Sequence, residues 1–270
     1  MTRSARRTRR IRVAVAFATS LLSAGACSSS GSDTGKGSSV SSSSSPSGTI
    51  TVFAAASLQE SFTALGKQFE EDHPGTGITF NFGGSDTLAA SIVSGAPADV
   101  FAAASTATMA TVTGGKAAAG PPATFARNQL EIATLSGNPD RITSLSDLTE
   151  PGRKVVVCDR TVPCGAAARK ALDAGGVQLT PVSYEQDVKS ALTKVELKEA
   201  DAALVYRTDV RAAGDRVEGV EFPESAKAVN DYPIALLKNA PNPETAKAFM
   251  ALVRSAEGQQ VLTGHGFLEP

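Results

Sequence analysis

Four strand-to-helix junctions in this 270-residue chain carry small or polar residues where a helix should begin. Ser57 opens "SLQE", and Ser85 opens "SDTL" after two glycines. Cys164 and Gly165 open the helix of "VPCGAAARKAL", and Val188 stands in the first turn of "EQDVKSAL". Every helix start leaves backbone N–H groups without intrahelical acceptors and carries a partial positive charge. Several such starts aimed at one point would hold an oxyanion with uncharged donors alone. Hydrogen bonds to a charged group contribute roughly 1.5–3 kcal/mol each, so a handful supports micromolar binding or better. The same residues also read as ordinary N-caps, and in "SLQE" Glu60 can close back on the cap amide of Ser57 as a capping box. Residue types and spacing leave both readings open.

Chemistry other than binding has little material. The only histidines are His73, in "EDHPG" at a helix end, and His265, in "TGHGF" near the C-terminus. Neither lies in a nucleophile or metal-ligand motif, and the chain has no G-x-S-x-G, phosphate loop or H-E-x-x-H. A free metal cation is not expected, since two cysteines and two distant histidines make a poor ligand set. Catalytic residues and cofactors are therefore expected to be none.

The first residues have the features of an export signal. Six arginines between Arg3 and Arg12 precede the apolar run "VAVAFATSLLSAGA", which is too short to span a bilayer comfortably. "LLSAGAC" resembles the lipobox of bacterial lipoproteins, with Ala24 where leucine is preferred. This marks residues 1–26 as a signal and Cys27 as the lipidated N-terminus, an ordinary signal cut nearby being the alternative. Residues 28–48 form a Ser/Gly tether with nothing to bury. Loss of the signal takes lysine plus arginine from 26 to 20 against 27 acids, leaving the mature chain near −7. Such a chain has no basic stripe for nucleic acid, and its global field does not attract an anion. Cys158 and Cys164 remain; in an exported protein they pair as a disulfide or stay as two buried thiols.

From residue 49 onward, strands and helices alternate. "TITVFAA" reads as a buried strand, 58–72 as an amphipathic helix, and "ITFNF" as a half-buried strand. A turn leads to a helix over 86–94 and the strand "ADVFAAA". A second series holds strands "QLEIATL", "KVVVC" and "DAALVY", with helices over 165–174 and 186–196. Strand 231–238 and helices near 242–255 and 256–264 close the chain. Two such series predict an α/β protein with two lobes, each a mostly parallel sheet flanked by helices, and a ligand cleft between them. The crossovers are placed near Asn128 and Asp231, giving 49–128 plus 231–270 as lobe 1 and 129–230 as lobe 2.

"ITVFAAASL", "GGSDTLAASIVSGAPADVFAAA", "VPCGAAARKAL", "LVYRTDV" and "YPIALLK" together resemble the periplasmic molybdate-binding proteins of ABC importers. The resemblance runs in order from about residue 49 to 270. It implies the type II periplasmic-binding-protein fold, which closes on its ligand by a hinge, and molybdate or tungstate as that ligand. By motif, the implied contacts are the hydroxyls and amides of Ser57 and Ser85, the backbone amides of Cys164 and Val188, and the phenol of Tyr206. Tyr206 otherwise reads as a half-buried core aromatic. Asp86, beside Ser85, is expected to point outward and cap its helix, because a carboxylate aimed at the anion would be unfavourable. The implied partner is a membrane permease, served by a monomer anchored outside the cell membrane. Binding of another oxyanion such as sulfate is the near alternative, and a surface-tethered hydrolase the remote one.

Overall fold

The computed structural model describes residues 45–270. The export signal, Cys27 and the tether up to residue 44 lie outside the described residues. The first series runs β1 (Gly48–Ala55), α1 (Gln59–Asp72), β2 (Thr76–Gly83), α2 (Ser85–Val93), β3 (Val100–Ala102), α3 (Thr106–Gly114) and β4 (Ala123–Asn128). The second begins with β5 (Leu130–Leu135), β6 (Val155–Cys158), α4 (Pro163–Gly175) and β7 (Ser183–Glu185). It continues through α5 (Val188–Glu196), β8 (Ala202–Tyr206), α6 (Arg207–Ala213) and β9 (Val217–Val220). The chain then returns as β10 (Asn230–Leu236) and ends in α7 (Pro243–Arg254) and α8 (Ala256–Gly264).

These strands form two five-stranded sheets, ordered β2-β1-β3-β10-β4 and β7-β6-β8-β5-β9. The chain is a two-lobed α/β protein, one sheet per lobe. Each sheet is mostly parallel, as expected, with four strands running one way and a single reversed strand. β1 pairs in parallel with β2 and β3, but β10 runs antiparallel to both β3 and β4. In the second sheet β6 is parallel to β7 and β8, while β5 is antiparallel to β8 and β9. The reason lies in the crossovers. Strands such as β1 and β8 end where their lobes meet, whereas β5 and β10 enter from the other lobe and start there, so each is reversed.

Hydrophobic patterning explains the layers. β1 is buried on both faces, with Ile50, Val52 and Ala54 against one core and Phe53 against another. α1 turns Phe62, Leu65 and Phe69 inward at helical spacing. Phe249 of α7 meets three rings there, 5.8 Å from Phe62, 5.7 Å from Phe69 and 6.1 Å from Phe80. The second lobe has its own core, built from β5, β6 and β8 with α4 and α5. Sequence periodicity does not mark α3, β4, β7 or β9. α3 is "TATMATVTG", rich in β-branched residues of low helix propensity. It is held instead by the Ser105 cap, whose hydroxyl accepts from Thr108 N at 3.1 Å, and by burial of Met109 and Val112. The other three are strands of three to six residues, too short to show a period.

Phe249→Ala should lower stability by about 3–5 kcal/mol, the usual loss for emptying a buried aromatic site. Urea unfolding should show this with the native circular dichroism retained; a loss below about 1 kcal/mol would mean that the ring cluster does not hold α7.

Candidate oxyanion site

A small cavity lies between the lobes. Ala55, Ala56, Ser57, Gly83, Gly84, Ser85 and Ala104 line it from one side, and Val162, Pro163, Cys164, Asp187, Val188 and Tyr206 from the other. The structure thus brings all five sequence-predicted site residues to one place. The empty space is about 230 Å³, part of it open to solvent. That is below the roughly 300–1,000 Å³ of pockets for drug-sized ligands. A larger depression of about 800 Å³, beside α4, collects no such set of helix starts.

Each lining residue is delivered by the end of an element. β1 ends at Ala55 and passes into a 3-10 turn, Ala56–Leu58, which carries Ser57. α2 begins at Ser85, α4 at Pro163, α5 at Val188, and Tyr206 is the N-cap of α6. Neither α2 nor α4 has a side chain capping its start. The first-turn amides of Ser85 and Cys164 therefore lack a helical acceptor and face the cavity end. Pro163 at the start of α4 costs nothing, because its missing N–H would have been unpaired.

Two glycines let backbone come this close. A Cβ on Gly165 would fall 1.8 Å from the Asp159 carbonyl oxygen, so only glycine lets α4 begin against the end of β6. A Cβ on Gly84 would sit 2.5 Å from the Gln186 carbonyl oxygen of the opposite lobe. Cys158 and Cys164 are joined by a disulfide with Cα atoms 5.7 Å apart, which ties the end of β6 to the first turn of α4.

The hydroxyls are already oriented. Ser85 Oγ accepts from Ala104 N at 3.0 Å, which leaves its own proton free. Ser57 Oγ and Tyr232 Oη are 2.8 Å apart. Tyr206 Oη accepts from Asn230 Nδ2 at 2.7 Å. Burial raises the pKa of both Tyr206 and Tyr232, so both phenols keep their protons. Asn128, Asn230 and Tyr232 were not singled out by sequence; the available signal was a polar aromatic within an apolar strand and an asparagine at each crossover.

Two local expectations are corrected. Ser57 and Glu60 form no capping box: the serine turns to Tyr232, and Glu60 receives Lys189 Nζ from the other lobe at 2.8 and 2.9 Å. Asp86 does not cap α2, whose N-cap is Gly84. It stays out of the cavity lining but turns Oδ1 into the protein, without a hydrogen-bond partner among the described residues. The one carboxylate that does line the cavity, Asp187, is held by Ser190 N and Oγ, both at 2.9 Å.

A family described as bacterial extracellular solute-binding protein matches residues 50–268. The chain belongs to these solute-binding proteins. The molybdate-binding protein ModA of Mycobacterium tuberculosis is 47% identical over 222 residues, 82% of this chain and 85% of that one. ModA of Escherichia coli is 31% identical over 237 residues, covering 82% of this chain and 89% of its own. The periplasmic molybdate-binding protein of Azotobacter vinelandii shares the fold with a TM-score of 0.72 at 19% identity, over 82% of this chain and 99% of that one.

In this solute-binding protein a charged cluster bridges the lobes beside the cavity. Lys189 binds Glu60 of α1 and also lies 3.4 Å from Asp209 Oδ1, on the fully buried carboxylate that accepts from Tyr206 N at 3.1 Å. Burial raises the Asp209 carboxyl to about 6, with Lys189 and the Tyr206 amide pulling it back and Glu60 pushing it up. A carboxyl whose folded pKa lies above its unfolded value favours the fold at low pH and loses that contribution as pH rises through the folded value. Relative to Asp209→Asn, the wild type should therefore lose roughly 1–3 kcal/mol between about pH 4 and pH 7. Parallel urea titrations across that range check it, and a constant difference would place Asp209 at its ordinary pKa.

Proposed function

We propose that this chain binds molybdate, with tungstate as the close analogue, and delivers it to the permease of an ABC importer. The observation that carries this reading is the set of uncharged donors gathered from both lobes around one small cavity. Among the described residues no lysine or arginine lines it. In this reading Ser57, Ser85, Cys164, Val188 and Tyr206 are the ligand contacts, the first two through hydroxyl and amide, the next two through amides, and the last through its phenol. The identity to proteins named for molybdate supports the choice of ligand.

Seven hydrogen bonds to an anion give roughly 10–21 kcal/mol gross, against about 8 kcal/mol for a micromolar dissociation constant. The margin requires donors held in place beforehand. A fully ionised tetrahedral dianion accepts from every one, whereas a protonated phosphate brings a donor that must face another donor. Sulfate differs from molybdate only in size, so the cavity dimensions must separate them. The protein performs no chemistry. Residues 49–128 with 231–270, and 129–230, are the bodies that close on the ligand, and the permease recognises the closed form. The chain acts as a monomer, exported by residues 1–26 and held at the membrane by a lipid on Cys27.

Calorimetric titration of the purified protein with molybdate, tungstate, sulfate and phosphate tests this. Molybdate and tungstate should bind at micromolar levels or tighter, and no heat from either with folded protein would overturn the reading. Ser57→Ala combined with Ser85→Ala should weaken molybdate at least tenfold with the fold retained, each lost bond removing about 1.4 kcal/mol or more. An unchanged affinity would take both serines out of the site. Cys27→Ala should abolish incorporation of labelled fatty acid and release the protein from the membrane; continued labelling would exclude Cys27 as the anchor.

A further inference from the structure

We infer that Asn128, acting through Tyr232, turns the proton of Ser57 toward the cavity and thereby presents that hydroxyl to a ligand as a donor. Asn128 and Asn230 stand opposite each other where β4 meets β10, at the crossover between lobes. Both are buried. Their amides have one possible orientation each. Gln129 N donates to Asn128 Oδ1 at 3.0 Å, and a backbone N–H can face only an acceptor, so the nitrogen of Asn128 must point the other way. There it donates to Thr208 Oγ1 at 2.9 Å and to Tyr232 Oη at 3.3 Å. Asn230 Nδ2 faces the Ala104 carbonyl at 2.9 Å and the Pro163 carbonyl at 3.3 Å, which only accept, so it also donates to Tyr206.

The direction then passes outward. Tyr232 Oη is approached by a donor from Asn128 at 3.3 Å, which directs its own proton to Ser57 Oγ at 2.8 Å. Ser57, accepting from Tyr232, has its own proton left for the cavity it lines. On the second arm, Tyr206 accepts from Asn230, which leaves its own proton to give to an anion in the cavity. Neither asparagine lines the cavity itself; Asn128 stands behind Tyr232, and Asn230 stands behind the lining residues Ala104, Pro163 and Tyr206. They are positioning residues, and what they position is hydrogen-bond polarity.

The consequence is selectivity between two dianions of equal charge. In mildly alkaline buffer molybdate and hydrogen phosphate each carry two negative charges, but only hydrogen phosphate also brings a donor. A Ser57 hydroxyl locked as donor repels that proton, and one released to accept welcomes it. This inference rests on the oxyanion reading above, and wild-type binding separates the two. If the wild type fails to bind molybdate, the oxyanion reading falls by itself. If it binds molybdate and hydrogen phosphate equally well, the polarity inference falls and the oxyanion reading stands.

The decisive comparison uses Asn128→Asp and Tyr232→Phe. A carboxylate at 128 still accepts from Gln129 N, and Thr208 can turn its hydroxyl to donate, but Tyr232 now donates inward and Ser57 donates to Tyr232. The phenylalanine keeps the ring packing and removes the proton that holds Ser57. Competition titrations should show the ratio of hydrogen phosphate to molybdate dissociation constants falling at least tenfold, or about 1.4 kcal/mol, in one or both variants. Changed charge or a loosened fold weakens both dianions alike and does not move this ratio. A wild-type ratio in both variants, each still folded and binding molybdate, would overturn the inference.

Discussion

The proposed ligand, a doubly charged anion held without a cation, constrains everything around it. Uncharged donors act over hydrogen-bond distances only, so backbone must approach the ligand from several directions at once. That requirement accounts for the residues at the cavity: Ala55 and Ala56 before Ser57, Gly83 and Gly84 before Ser85, and Pro163 and Cys164 at the head of α4. Larger side chains there would hold the amides away. It also accounts for the topology. Parallel strands that end at the cleft, each feeding a helix that starts there, are the arrangement that brings helix N-termini together. The reversed strands β5 and β10 are the connections that such an arrangement leaves over.

The lobes are joined by more than the cavity. Glu60 of α1 meets Lys189 of α5, Gly84 meets the carbonyl of Gln186, and Asn230 reaches Tyr206. Residues that line the cavity are next in sequence to residues that bridge the lobes: Gly84 to Ser85, and Val188 to Lys189. Ligand binding and lobe closure therefore draw on the same short segments. Lys189 and Glu60 are partly exposed, so solvent screening keeps their ion pair weak. Asp209 is fully buried, and its desolvation opposes the charge that Lys189 favours. The charged contact between the lobes is thus weak rather than locking.

The two-lobed α/β architecture was legible in the alternation of apolar runs and amphipathic segments. α1 shows why, since Phe62, Leu65 and Phe69 repeat at helical spacing and all three are buried. α3 was not legible, because its threonines carry no period and tertiary packing decides for it. The "SLQE" capping box failed because partners distant in sequence compete better: Tyr232 for the serine and Lys189 for the glutamate. Asp86 failed for a similar reason, as Gly84 had to occupy the cap position to pass Gln186. The positions around the cavity could be named because motif resemblance fixes them in order along the chain. The layer behind them could not, since Asn128, Thr208 and Tyr232 are scattered in sequence and meet only through the crossover strands.

A site built in this way has a further physical property. Its donors do not titrate in the range where proteins are stable. Amides carry no ionisable proton there, serine hydroxyls likewise, and burial raises Tyr206 and Tyr232 above the ordinary phenol value. Asp187, the one carboxylate in the lining, is committed to the first turn of α5. The charge of the cavity is therefore fixed, and any pH dependence of anion affinity must come from the anion or from lobe closure. The net charge of −1 over the whole chain does not alter this, because exposed charges beyond about 8 Å are largely screened at physiological salt. Attraction begins only inside the cleft, where water is displaced and the fixed donors take over. A lysine there would have bound any anion more strongly. In the proposed reading, its absence gives up affinity in general and favours ions that accept every hydrogen bond and offer none.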